Sequence, residues 1–160
     1  MAYSTVAVAN AFIQRALDGK ISELTPMKLQ KLMFYAQSWM LKIYNEELID
    51  EHFCKWQYGP VIPSLYHEIK NYGSGVIKDL IPIGLPSFNG TDITFSAVTP
   101  KIPEVDNNSW AFIDKIISVY GEYSGTDLSY LTHLKGTAWD KTQRLGDVMP
   151  SQLLKDSIGN

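Results

Sequence analysis

Thr25-Pro26 constrains this chain more than any other feature: a hydroxyl residue suited to capping a helix, then proline where a helix has no use for the missing N–H. The dipeptide opens a run in which Leu29, Leu32, Met33, Ala36, Met40 and Tyr44 recur at three- and four-residue spacing, the stripe of a helix over about residues 26 to 44. A helix of that length in a chain of 160 residues is expected to be central. Lys28 and Lys31, on its other side, read as a solvated face. Val6, Ala9, Phe12, Ile13, Ala16 and Leu17 behind a Ser4 cap predict a preceding helix stopped by Gly19.

Periodicity then lapses. Glu46, Glu47, Asp50 and Glu51 surround Leu48 and Ile49, and Cys54-Lys55-Trp56-Gln57-Tyr58-Gly59-Pro60 reads as an extended or looped segment. Gly59-Pro60 is turn chemistry, and Pro63 starts a short helix through Leu65, Tyr66 and Ile69, ended by Tyr72-Gly73. Between residues 74 and 108, Gly75, Pro82, Gly84, Pro86, Gly90, Pro100 and Pro103 leave only Thr91 to Ala97 β-like. A structureless loop of this length is unusual in a compact domain, so a short hairpin or an insertion packed on the surface is expected. Helical spacing returns after Asn108 at Phe112, Ile113, Ile116, Ile117 and Tyr120, closed by Gly121, and again from Thr126 to His133. Thr137, with Asp140 three residues on, caps a further helix, and Pro150 opens a last one over residues 151–157 before a frayed Gly159-Asn160 end. The predicted fold is mainly α: a single compact helical domain over residues 1–160, with about six helices and a small β element near residues 91–97.

Apolar residues make up 45% of the chain and charged residues 19%, a balance that supports a buried core. Fourteen basic side chains face 17 acidic ones, so the net charge of -3 supplies no general attraction for phosphate backbones or anionic membranes. No specific nucleic-acid binding is expected. Cys54, the lone cysteine, rules out an internal disulfide framework and a thiolate zinc cluster, and is expected as a buried apolar thiol. His52, His67 and His133 lack metalloprotease spacing, and no glycine motif of a phosphate cradle is present, so neither metal nor cofactor is expected. The first twelve residues lack a basic signal-peptide n-region and no stretch approaches the ~20 apolar residues of a membrane span, which points to a cytoplasmic location.

Leu24-Thr25-Pro26-Met27-Lys28-Leu29-Gln30-Lys31-Leu32-Met33-Phe34-Tyr35-Ala36-Gln37 resembles the signature of Panacea-domain (GepA/SocA-like, phage-associated) antitoxins. Two more blocks follow in that family's order, residues 56–66 and then Leu128 to His133 leading to Trp139; with Val8-Ala9-Asn10 the resemblance spans roughly residues 8–140. Cys54-Lys55 and Ala138-Trp139 depart from the pattern, which has Glu-Ala and Pro-Trp there. The resemblance implies a mostly helical, non-enzymatic antitoxin that neutralises a cognate protein toxin by direct binding. It also implies a second route, delivery of the toxin to an ATP-dependent protease. The positions carried over as partner-binding or scaffold residues are Lys28, Gln30, Lys31, Tyr35, Trp56, Tyr58, Gly59, Pro60, Tyr66, Thr132, His133 and Trp139.

Each candidate also has a plainer reading. The aromatics of the Trp56 to Pro60 corner fill space between helices or anchor a partner, with Trp56 expected to be buried and Tyr58 or Tyr66 nearer the surface. His133 is expected to bond to that corner and fix two distant segments together. The rival class is a hydrolase-like enzyme using His133 with Ser124 and Asp127 or Asp140, but no nucleophile elbow accompanies them. The acidic run at residues 46–51 reads as a solvated loop, with complementarity to a basic toxin as the functional alternative.

Overall fold

A computed structural model of the chain describes residues 2–159, so the expected fraying at Asn160 lies outside the described residues. Helix α1 (Thr5–Leu17) starts where Ser4 Oγ accepts the Ala7 N–H at 3.2 Å. Helix α2 (Pro26–Tyr44) starts where Thr25 Oγ1 accepts the Lys28 N–H at 3.2 Å, and ends at Asn45 in the left-handed region. Strands β1 (Phe53–Trp56) and β2 (Gly59–Val61) follow, then α3 (Pro63–Ile69) with a 3₁₀ turn over Lys70–Tyr72. Strands β3 (Ile83–Asn89) and β4 (Asp92–Val98) lead to α4 (Asn107–Tyr120), capped by Asp106. Helices α5 (Gly125–Thr132) and α6 (Ala138–Lys141), strand β5 (Val148–Met149) and α7 (Ser151–Ser157) complete the chain. The fold of the described residues is thus mainly α, with seven helices where about six were expected, and the single-turn α6 lies where Thr137 was expected to cap one.

Helix α2 is the spine. Helices α1, α3, α4, α5 and α7 and strand β2 all pack on it. Leu29, Leu32, Met33 and Ala36 are fully buried as the stripe requires, and Met40 nearly so, but Tyr44 is 59% exposed because the last turn runs past the core. The solvated-face reading of Lys28 and Lys31 is overturned: each is 1% exposed, because neighbours cover the helix on its second side as well. Phe12, Ile13, Ile49, Phe53, Ile62, Leu65, Ile113, Leu128 and Leu154 bring the other elements into the same cluster.

The extended segment before Pro60 is a hairpin. β1 pairs antiparallel with β2, closing at Trp56 opposite Gly59, and on its other edge with β5, giving the order β2-β1-β5. This small sheet was not expected.

The short hairpin expected in this region is present as β3–β4, with β4 on the expected β element, but it stands out from the surface rather than packing on it. Apart from Ile83 and Val98 at its base, every residue in both strands is exposed. Its two-residue loop has positive φ at Gly90 and not at Thr91, the pattern of a type II′ turn. Register puts Pro86 opposite Phe95 and Phe88 opposite Ile93 on one face, and Ser87 opposite Thr94 and Asn89 opposite Asp92 on the other.

Three buried side-chain amides fasten loops to helices. Asn10 Nδ2 donates to the carbonyls of Ile81 and Pro100, each at 2.9 Å, while its Oδ1 accepts the Ile81 N–H at 2.7 Å. Gln30 exchanges two bonds with Ile62, accepting its N–H at 2.9 Å and donating to its carbonyl at 3.1 Å. Gln37 accepts the N–H groups of Leu48 and Ile49, each at 2.9 Å, and donates to the Ile49 carbonyl at 3.1 Å. Each amide supplies to a loop what a neighbouring strand would supply.

Candidate functional site

The Trp56 to Tyr66 corner is anchored by the buried side chains of Val61, Ile62 and Leu65 and by a set of hydrogen bonds to its backbone. Trp139 Nε1 donates to the Trp56 carbonyl at 2.7 Å, Ser129 Oγ to that of Tyr58 at 2.6 Å, and Lys31 Nζ to that of Pro60 at 3.1 Å. His133 Nε2 lies 2.9 Å from the Gln57 carbonyl, with Nδ1 at the carbonyl of Ser129, and Gln30 holds Ile62. Side chains from α2, from α5 and its C-terminal cap, and from α6 thus fix the peptide path, which leaves the side chains of Gln57, Tyr58 and Tyr66 free to face outward while Val61, Ile62 and Leu65 enter the core.

Gly59 is required at the tightest point. Its φ is +121°, and a Cβ there would lie 2.4 Å from Lys31 Cε and 2.9 Å from Thr132 Oγ1. The strand therefore rests directly on the Lys31 side chain. Thr132 is itself buried and donates to the Ser129 carbonyl at 2.6 Å.

The corner's outer face is aromatic. Trp56 is half-buried rather than buried and meets Tyr66 edge-on at 5.0 Å between ring centroids. Tyr58 is 63% exposed and Tyr66 41%. Trp139 lies behind, its ring 3.9 Å from that of His133 and 4.1 Å from the Lys55 ammonium, which also donates to the Thr142 carbonyl at 2.7 Å. Trp56, Tyr58, Tyr66, Gln30 and Lys31 line one open cavity of about 650 Å³.

Two predicted positions lie elsewhere. Lys28 Nζ donates to the Ser22 carbonyl at 2.6 Å beside a separate cavity at the start of α2. Tyr35 stacks on Tyr120 at 4.1 Å, and burial beside Tyr120 and Tyr123 pushes its phenol above the ordinary range. Sequence reasoning missed Lys55, Ser129 and the Leu145-Gly146 turn that completes the cavity. Ser129 sat inside a recognised block, whereas nothing local marks Leu145. Cys54 is half-buried in β1, short of the full burial expected, and burial pushes its thiol up.

Burial also drives the Lys31 ammonium down to about 7. His133, by contrast, has both ring nitrogens at backbone carbonyls, and the imagined hydrolase set is not assembled around it. Ser124 caps α5 by accepting the Asp127 N–H at 3.0 Å, and Asp140 accepts the Gly136 N–H at 2.9 Å. The expectation that His133 ties distant segments together is borne out by its bond to Gln57. Among the described residues no group of three or more His, Cys, Asp or Glu is placed to hold a metal ion, and no helix is long and apolar enough to cross a membrane.

A family model described as antitoxin SocA-like, Panacea domain, matches residues 29–140. Antitoxin SocA of Caulobacter vibrioides (strain NA1000 / CB15N) is 29% identical over 142 residues, which cover 84% of this chain and 67% of that protein. No solved structure matches the chain. The family match runs from the buried turn of α2 that carries Lys31, through the corner, to the α6 segment that clamps it, and the chain belongs to the SocA-like Panacea-domain antitoxin family.

Proposed function

We propose that the chain neutralises a cognate protein toxin in the cytoplasm by binding it directly. The observation that carries this reading, beyond membership of an antitoxin family, is an exposed apolar face. Phe88 is 75% exposed, Phe95 73% and Ile93 57%, all on one face of the β3–β4 hairpin. Together they present on the order of 400 Å², within the range of the largest apolar patch on a monomer, which is often a binding site. A standard interface takes about 800 Å² per side, so the hairpin contributes part of the contact. Tyr58 and Tyr66 at the corner offer further aromatic anchors on a rigidly held backbone.

The test is co-expression with the protein encoded beside the gene, scoring growth and then co-purification. Rescue with a stable complex supports sequestration. Rescue with loss of the toxin supports delivery to a protease instead. Absence of toxicity and of a complex refutes the reading. The Phe88→Ser/Phe95→Ser double variant is expected to keep its melting temperature and lose neutralisation.

A further inference from the structure

The cavity at the corner combines apolar walls with two lysines and no acidic residue in its lining. Besides Lys31 and Lys55 it is lined by Trp56, Tyr58, Tyr66 and Leu145 among others, and no Asp or Glu lines it although the chain has 17. Lys31 is 1% exposed, and the one hydrogen bond of its ammonium among the described residues goes to the neutral Pro60 carbonyl. A buried ammonium with no counter-charge is unfavourable by itself and becomes favourable when a carboxylate arrives. The flexible lysine stem lets the ammonium swing from the carbonyl toward such a group.

We propose that this cavity receives a carboxylate carried on an apolar segment of the bound protein toxin, with Lys31 as its counter-charge and Trp56 and Tyr66 as the walls for the adjoining side chain. This rests on the antitoxin reading and adds the chemistry of the partner's contact. Charge complementarity selects the occupant: a basic or purely apolar segment would leave Lys31 uncompensated. Protonation of Lys31 accompanies binding, because burial in the free chain disfavours its ammonium, which an arriving carboxylate favours. The other titratable groups facing it are Lys55, Tyr58 and Tyr66 along the cavity, and His133 beyond Thr132.

The full chain and its Lys31→Met variant are compared by thermal melting and by titration with the neighbouring-gene protein at pH 6.5 and 8.5. Methionine fills the lysine's space without charge, so the variant is expected to melt at or above the wild-type temperature. It is expected to bind at least tenfold more weakly at pH 6.5. Wild-type affinity is expected to fall severalfold at pH 8.5 while that of the variant stays level, a difference that removes any share of His133. Undiminished binding by a folded Lys31→Met chain, or wild-type affinity independent of pH, overturns the inference and leaves the antitoxin reading standing. If the wild-type chain does not bind that protein, the antitoxin reading fails, and a second probe decides the site. N-acetyl-Phe-Asp-amide and N-acetyl-Phe-Asn-amide are titrated while the Trp56 indole resonance is followed. A tenfold preference for the Asp peptide supports the site. Equal binding, no binding, or equal saturation by acetate overturns it.

Discussion

Gln37→Leu isolates what a buried amide contributes to this fold. Gln37 is 2% exposed, and its three bonds go to the backbone of Leu48 and Ile49. Leucine keeps most of the volume, so the substitution leaves little cavity and orphans two N–H groups and one carbonyl. An unsatisfied buried group costs about 1–3 kcal/mol, and partial access of water beside exposed Glu47 and Asp50 places the total at roughly 3–6 kcal/mol. Against the ~5–15 kcal/mol of a typical domain that is a large fraction. The same turn bonds to the N-terminal segment, since Tyr3 donates to the Leu48 carbonyl at 2.8 Å and accepts the Asp50 N–H at 3.0 Å. Loosening is therefore expected to spread to residue 3. Urea denaturation followed by tryptophan fluorescence gives the stability loss, and hydrogen exchange at the Leu48 and Ile49 amides gives its location. A loss under ~1 kcal/mol, with both amides as protected as in the wild type, would refute the argument that side-chain amides hold these loops.

Gly59→Ala sets a Cβ against Lys31 and Thr132 at a positive φ, and a loss of at least ~2 kcal/mol in denaturant unfolding is expected. Lys31 is held down to about 7 in the fold, against ~10.4 unfolded, so the unfolded chain binds more protons between these values and stability rises with pH there. The gain from pH 7 to 9 is expected to be about 2 kcal/mol, to be absent in Lys31→Met, and to reverse above pH ~10 as the buried Tyr35 phenol resists ionisation. Trp139→Phe removes the donor to the Trp56 carbonyl and is expected to cost ~1–2 kcal/mol in the same assay, with faster exchange confined to the corner.

Capping and proline placement made the helix starts legible. Ser4, Thr25, Thr137 and Pro150 each sit where the sequence puts them, and α2 and α7 have the expected bounds. The β2-β1-β5 sheet was not legible, because its strands are two to four residues long and β5 pairs with β1 across some ninety residues of chain. Burial of Lys28 and Lys31 was hidden for another reason: periodicity finds an apolar stripe but not a second covered side. One signal was present. The α2 sequence contains no Asp or Glu, whereas a solvated lysine face ordinarily carries acidic residues a turn away. Membership of the corner could be read from the recognised blocks, but its geometry depends on Gly59 meeting Lys31, a contact between residues 28 apart in the chain.

Asn10, Gln30 and Gln37 grip peptide groups, not side chains. Such a fastening is indifferent to what the fastened loop displays. Substitutions at exposed neighbours such as Glu46, Glu47 or Ser64 change what a partner meets without loosening the grip. The scaffold and the displayed surface are thereby separable under selection, and one framework can be refitted to unlike partners by changing its outward residues alone.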